Sequence, residues 1–312
     1  ELFTGSRLPT MSNESPPPLV ERMLGLLEPA QLLTWAMSHY IRVCSEAVFQ
    51  KGQLFAPITQ TRRLRDEAFG RFWIEFTTPR QMTSDPTNKK IPEPVGSSAL
   101  IPPLLRTATG TVLDIGPGTG TQMPLLTSPS ITALYGAEPC TSLHSTLRAA
   151  ADTAGLSSKY HILPSGVAAR DLLPALRETK TGVVDAYDAD PRAGIFDTIL
   201  CVRVLCSVPE MERTVGELYG LLKPGGRLLV TEHVVNPWRR AKGSLLARIV
   251  QGFYQAVGWR FFIGDCCLDR DTEGVLRRVA DVDGGWESVE LESDFEWSAL
   301  PYISGTLVKK GV

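Results

Sequence analysis

Thr111-Val-Leu-Asp-Ile-Gly-Pro-Gly-Thr-Gly120 is the stretch whose reading decides the fold. Val112-Leu113-Asp114-Ile115 is a short apolar run of the kind that fills a buried parallel strand. Gly116, Gly118 and Gly120 follow at alternate positions. Lacking a Cβ, they let the chain turn sharply and let its backbone lie against a ligand. The spacing is not G-x-G-x-x-G, and Thr121-Gln122 stands where a P-loop requires Lys-Ser/Thr, so the loop is not built for a triphosphate.

A second apolar run, Ile131-Thr-Ala-Leu-Tyr-Gly-Ala137, ends in Glu138. An acid about 20 residues beyond a glycine loop is the spacing of a ribose-binding carboxylate. A third run, Phe196-Asp-Thr-Ile-Leu-Cys-Val202, leads through Leu222-Lys-Pro-Gly-Gly226 to Arg227-Leu-Leu-Val-Thr-Glu-His233. In this order the segments resemble the class I S-adenosylmethionine-dependent methyltransferases, over about residues 107 to 310. The resemblance implies an α/β fold: a Rossmann-like, seven-stranded, mostly parallel sheet with helices on both faces. It implies S-adenosylmethionine as cofactor, released as S-adenosylhomocysteine, and no metal. Asp114, Gly116, Pro117, Gly118, Thr119 and Gly120 then match the loop that holds the donor's amino-acid end. Glu138 and Pro139 match the ribose position, where a carboxylate offers paired acceptors to two hydroxyls. Gly166 and Val167 fall where the family often carries an acid for adenine. Cys201, Val202 and Arg203, ending the fourth strand, border the sulfonium.

The 312 residues carry a formal net charge of −2, which gives no electrostatic reason to expect nucleic acid. Six cysteines, Cys44, Cys140, Cys201, Cys206, Cys266 and Cys267, form no repeated C-x-x-C pairs. The spacing argues against zinc and for a reducing, intracellular compartment. No signal-peptide pattern opens the chain. Residues 1–18 read as a tag or disordered lead-in, 19–76 as a helical N-terminal cap, 77–104 as a linker, and 105–312 as the methyltransferase domain.

Within the cap, Ala30 to Phe49 reads as a helix with an unusually broad apolar face; the uncharged run between Glu28 and Arg42 is far short of the roughly 20 apolar residues that span a bilayer. Thr61 to Phe76 reads as a second helix. Thr77 to Ser98, rich in Pro, Ser, Thr and Lys, reads as loose. Thr141-Ser142 reads as a helix cap, Ser207-x-x-Glu210 as a capping box, and residues 178–194 as a surface loop. In residues 236–269, Leu245, Leu246, Ile249, Val250, Phe253, Tyr254 and Val257 form one helical stripe, read as half of a substrate chamber. Val289–Leu291 and Ile303–Val308 would close the sheet as a hairpin.

Val202-x-Val-Leu-Cys-Ser-Val208, Thr231-Glu-His-Val234 and Trp259-x-Phe-Phe-x-Gly-Asp-Cys266 look like the microsomal alkyl-thiol methyltransferase-like branch. That branch implies small lipophilic thiol acceptors and a membrane-anchoring N-terminal segment, here shorter and interrupted by charge. The expected reaction is methyl transfer to S or O of a small lipophilic molecule. The alternatives are C- or N-methylation in quinone or secondary metabolism, and a cofactor-binding cyclase or scaffold that transfers no methyl. His233 and Asp265 are the candidate proton acceptors. Trp35, Tyr40, Arg203, Phe253, Trp259 and Phe261 are the expected acceptor lining. The expected location is the cytoplasm, with peripheral contact to an intracellular membrane through the N-terminal helix as the further alternative.

Overall fold

The computed structural model describes residues 18–77 and 94–311. The chain opens with α1 (Leu19–Ser45), continued by a π-turn, then α2 (Ala56–Thr59) and α3 (Thr61–Thr77). After α4 (Ile101–Leu105) come β1 (Gly110–Ile115), β2 (Ile131–Ala137), α5 (His144–Thr153), β3 (Tyr160–Leu163), α6 (Ala169–Glu178) and α7 (Asp185–Ala189). β4 (Phe196–Val202), α8 (Met211–Leu221) and β5 (Leu222–His233) follow. α9 (Leu245–Ala256), α10 (Trp259–Phe262) and α11 (Thr272–Arg278) precede the hairpin of β6 (Ser288–Asp294) and β7 (Tyr302–Val308).

The strands form one sheet in the order β3-β2-β1-β4-β5-β7-β6, with only β7 antiparallel to its neighbours. This is the mostly parallel, Rossmann-like sheet that the family resemblance implied. Strand side chains alternate between faces. Leu113, Ile115, Ile199 and Val230 pack with α6, α8 and α11, while Val112, Leu200 and Leu229 pack with α4 and α5. The order reverses between β1 and β4, and ligands of open α/β sheets bind beyond the carboxyl ends of the strands at such a point.

Several local readings change. Of the stretch read as linker, residues 78–93 lie outside the described residues, as does 1–17 of the lead-in. Residues 96–105 are helical, because Ile101, Leu104 and Leu105 fall on one face and are buried. Neither predicted cap forms. Thr141–Leu143 is itself a 3-10 turn behind Cys140, and Glu210 takes a left-handed conformation (φ 43°) before α8 with no side-chain cap bond. Residues 185–193 form two short helical turns within the expected loop.

The cap is two packed helices: Leu33, Ala36 and Val43 of α1 meet Leu64, Ala68 and Phe72 of α3. α1 begins at Leu19, well before the expected start, and runs through Pro29.

The largest departure is α9. Leu245, Leu246, Ile249, Phe253 and Val257, read as an inward stripe, are exposed. Of that stripe Tyr254 does face inward, joined there by Ala247 and Gln251. The cause is a polar network. Gln251 Nε2 donates toward the carbonyls of Val234, Leu268 and Ala299, and its Oε1 accepts from Asn236 N–H at 2.8 Å. Asn236 Nδ2 donates to the Glu296 and Ser298 carbonyls. These two fully buried amides satisfy the backbone of four loop segments, so the helix turns its amide face inward and leaves its apolar face outside. Gln251→Leu would orphan those groups at about 1–3 kcal/mol apiece. We expect a loss of at least about 2 kcal/mol, seen in thermal unfolding as a drop of several degrees, at about 2–4 °C per kcal/mol for a chain of this size. An unchanged Tm would show that the network is dispensable.

Candidate active site

The glycine loop leaves β1 with Gly116, Gly118 and Gly120 at φ of 58°, 59° and 78°, a region L side chains rarely adopt. Space forbids a Cβ as well. At Gly118 it would lie 2.6 Å from the indole Nε1 of Trp73, and at Gly116 it would lie 2.7 Å from Val204. The sequence explains the loop as an approach to a ligand; the structure adds that the cap's α3 closes over it. Thr77 and Thr119 hydroxyls meet at 2.9 Å.

Glu138 follows β2 directly and is buried. Its Oε2 accepts from Gly118 N–H at 2.9 Å and its Oε1 from Cys140 N–H at 2.8 Å. Burial raises its pKa against these two bonds. Asp114, inside β1, accepts from the Tyr160 hydroxyl at 3.0 Å. Burial pushes its carboxyl up to about 6; the Tyr160 bond works against this and the Glu138 charge works with it. Past β3, the Ser165 hydroxyl is buried with no hydrogen-bond partner, next to Gly166 and Val167. Two buried acids, a strained glycine loop and an unpaired hydroxyl suit a cationic donor carrying a ribose and a base.

Arg203 ends β4 at φ 56°, its N–H bonded to the Thr231 carbonyl. Its guanidinium donates to the Ser97 and Ser98 hydroxyls and lies 5.6 Å from the centre of the Tyr302 ring. Cys201 and Val202 lie in β4 behind it. Glu232, which the sequence reading left without a role, is fully buried. Its Oε1 accepts from Val204 and Leu205 N–H, its Oε2 is unpartnered, and burial pushes its carboxyl up to about 7.

The candidate proton acceptors are placed differently. His233 ends β5, buried, with Nε2 3.1 Å from Cys266 Sγ and Nδ1 unpartnered. Burial disfavours its imidazolium, but the Cys206 sulfur and Glu232 outweigh this and raise its pKa. Asp265 forms a two-point ion pair with Arg65 at 3.0 and 2.8 Å, which fastens α3 to the loop after α10. Of the expected lining, Tyr40 meets Phe261 edge-on at 5.2 Å, and Trp35 packs edge-on against Phe72. Trp259 is buried with an unpartnered Nε1. Phe253, by contrast, is exposed and lines no chamber. A surface cavity of about 540 Å³ lies beyond β5, between Val234–Arg240 and Glu273, Glu296 and Tyr302. It is rimmed by charge and sits off the glycine loop.

A methyltransferase-domain family model matches residues 92–261, more than half of the chain. The chain belongs to that family and carries an S-adenosylmethionine-dependent methyltransferase domain. It is 35% identical over 120 residues to human thiol S-methyltransferase TMT1B, which spans 37% of this chain and 45% of that protein. It is 26% identical over 165 residues to phosphatidylethanolamine N-methyltransferase of Cereibacter sphaeroides, spanning 52% and 68% respectively. The chain thus spans about half the length of the thiol methyltransferases it matches. Among solved structures, an O-methyltransferase family protein from Burkholderia thailandensis covers 92% of this chain and 71% of its own, at 14% identity and a TM-score of 0.46.

Asp114 gives a pH test of the site. A carboxyl whose pKa is higher in the folded than in the unfolded chain favours folding below the unfolded value and loses that contribution as pH rises through the folded value. For Asp114 the window runs from its ordinary value of 3.8 to about 6. The stability of Asp114→Asn relative to the parent should therefore rise by up to about 3 kcal/mol between about pH 4 and pH 8. Urea unfolding at the two pH values measures it; a constant difference would mean that Asp114 does not titrate in this window.

Proposed function

We propose that this protein transfers a methyl group from S-adenosylmethionine to the sulfur of a small lipophilic thiol, with an oxygen acceptor as the second choice. The observation that carries this reading is the pair of buried acids, Asp114 and Glu138, beside the glycine loop, facing a β5 end built from His233 and cysteine sulfur. The name of the human relative supports sulfur over oxygen.

Bound S-adenosylmethionine supplies an electrophilic methyl on a sulfonium. The chain's own residues then have three tasks. Glu138, placed at the end of β2, would accept ribose hydroxyls with the lone pairs its two backbone bonds leave free. Asp114 and the glycine loop would hold the donor's amino-acid end, and Ser165 is the side chain with an uncommitted hydrogen bond toward the base. Trp73 and Thr77 of the cap exclude water, so that the displacement occurs in a dry, oriented site. A thiol needs little help to lose its proton near neutrality, and His233 is the adjacent group able to take one.

The test compares alkanethiols with phenols of matched size, reading methylated product by mass spectrometry. Thiols should give the higher kcat/KM, and Glu138→Ala should weaken donor binding by roughly tenfold or more. Methylation of phenols alone would overturn the choice of sulfur, and unchanged donor affinity would remove Glu138 from the site.

Lipophilic acceptors concentrate in membranes, and the exposed surface is consistent with the protein meeting them there. Leu19, Val20, Met23, Leu24 and Leu27 of α1 are exposed, as is the apolar face of α9. The two helices touch, through the Tyr254 hydroxyl bonded to the Leu26 carbonyl. Arg239, Lys242 and Arg248 stand near α9. Among the described residues no helix is long and apolar enough to cross a membrane, so contact would be peripheral. Co-sedimentation with lipid vesicles should fall severalfold on introducing Leu24→Glu together with Phe253→Glu. Equal sedimentation of both proteins would sink the membrane contact.

A further inference from the structure

The end of β5 gathers groups that the sequence keeps far apart. Cys206 follows β4, His233 ends β5, and Cys266 lies beyond α10. All three are buried, and one ligand atom from each lies within 4.8 Å of the others. His233 Nε2 stands 3.1 Å from Cys266 Sγ. The backbone holds the arrangement: Cys267 N–H donates to the Cys206 carbonyl, and Asp265 takes a left-handed φ of 63° to bring the next residue inward. Among the described residues no fourth His, Cys, Asp or Glu joins the cluster.

Two thiols and an imidazole in a dry pocket are poor partners for one another. The thiols are weak donors, and the imidazole Nδ1 has no partner. The same three groups are good partners for a soft divalent cation. From ordinary zinc–sulfur and zinc–nitrogen bond lengths, ligand atoms on a tetrahedral zinc stand about 3.5–3.8 Å apart. The three ligand atoms already lie within 4.8 Å of one another, with His233 Nε2 and Cys266 Sγ at 3.1 Å, so side-chain adjustments of about an ångström bring them to that geometry. Thiolate donors select zinc over the harder divalent ions. Three protein ligands with a fourth position free is the arrangement of catalytic zinc sites, whereas structural sites use four.

We propose that Cys206, His233 and Cys266 bind one zinc ion and that its fourth position takes the sulfur of the acceptor thiol. The second clause rests on the thiol-methylating function proposed above; the first does not. Binding zinc releases the protons of Cys206 and Cys266 to solvent. An acceptor thiol joining the ion loses its own proton in the same way, since a coordinated thiol is deprotonated. Transfer then breaks the sulfonium–methyl bond, whose electron pair stays on the donor sulfur. A lone pair of the acceptor sulfur forms the new bond to the methyl carbon. The thioether product is neutral and a weaker ligand than the thiolate it replaces, which favours release. The lack of C-x-x-C pairs, which argued against zinc from spacing alone, does not bear on a site assembled from three elements.

The experiment uses the full chain purified under reducing conditions without chelator. Metal analysis should find about one zinc per chain. His233→Ala and Cys266→Ser should each lower zinc affinity at least about tenfold, measured against a chromophoric chelator, and circular dichroism should show both variants folded. Cys267→Ser, outside the cluster, should keep the parent affinity. Cobalt(II) in place of zinc should give thiolate-to-cobalt charge transfer and tetrahedral d–d bands, and an added alkanethiol should shift those bands with no donor present. A reduced, folded protein with no zinc and no affinity for it would overturn the site, as would a Cys206–Cys266 disulfide in the freshly purified protein. Cobalt bands that ignore added thiol would overturn the open fourth position. All these readings are taken without turnover, so a zinc-binding protein that methylates no thiol would refute the proposed function and leave the metal site standing.

Discussion

Glu138 binds two backbone N–H groups with one carboxylate, and the rest of the site depends on that bridge. The donors belong to different loops: Gly118 follows β1, and Cys140 follows β2. The bridge fixes the distance between the loops, and with it the left-handed turn at Gly118 on which Trp73 rests. Burying a carboxylate is unfavourable unless its oxygens are hydrogen-bonded. Asp114 meets the condition through a tyrosine, and Glu232 through the N–H groups of Val204 and Leu205. Among the described residues none of the three forms a salt bridge with a lysine or arginine, though the charge of Arg203 acts on Glu232 and that of His144 on Glu138. Acids held by neutral donors in a dry site keep their negative potential available to a cationic ligand, whereas an ion pair would cancel it. On the proposed function, these acids stand in place before the donor arrives, which is the condition of electrostatic preorganisation.

The cap belongs to the same constraint. α3 lays Trp73 on the glycine loop, and Phe69 sits where a side chain at Gly264 would be. Arg65 grips Asp265 nearby, and α1 brings Gly25 within 2.9 Å, measured from an added Cβ, of Ser298. Each contact is modest. The Arg65–Asp265 pair, with Asp265 half-exposed, adds at most about 1 kcal/mol. Their distribution matters more than their strength. They reach the β1 loop, the loop after α10 and the loop before β7, so the two helices cannot leave one loop without loosening the others. The cap is thereby tied to three loops at once rather than to one.

The sheet and the glycine loop were legible because their signals are local. Val112–Ile115 and the alternating glycines are contiguous, and Glu138 lies a fixed distance beyond them. The inner face of α9 was illegible for a physical reason. Periodicity reports that apolar residues share a face, but not which way the face points. Here Gln251 and Asn236 satisfy buried carbonyls that apolar side chains could not, and that requirement turned the helix over. The two misread caps failed similarly. Glu210 is drawn to Arg213 and sits in a left-handed turn, while Thr141-Ser142 belong to a 3-10 turn that leads into α5 with no side-chain cap. The grouping of Cys206, His233 and Cys266 had no sequence signal, because three elements of the fold must assemble before those positions meet.

The topology divides the site by charge and softness. The switch point lies between β1 and β4. On the β1–β2 side stand Asp114, Glu138 and the glycine loop: hard, anionic groups matched to an ammonium, a sulfonium and hydroxyls. On the β4–β5 side stand Arg203, His233 and two buried sulfurs, with Tyr302 against both Arg203 and His233, and the buried acid Glu232, whose Oε1 is taken up by the Val204 and Leu205 N–H groups. A methyl transfer needs this asymmetry, since its donor is a cation and its acceptor must present an electron pair. In the proposed reaction the cation of Arg203 and the soft donors of β5 stand on the acceptor side, while Glu232 is engaged by two backbone N–H groups. In a sheet of this order the division requires no additional element. The reversal between β1 and β4 already puts the two groups of loops on opposite sides of the crevice where the reaction is proposed to occur.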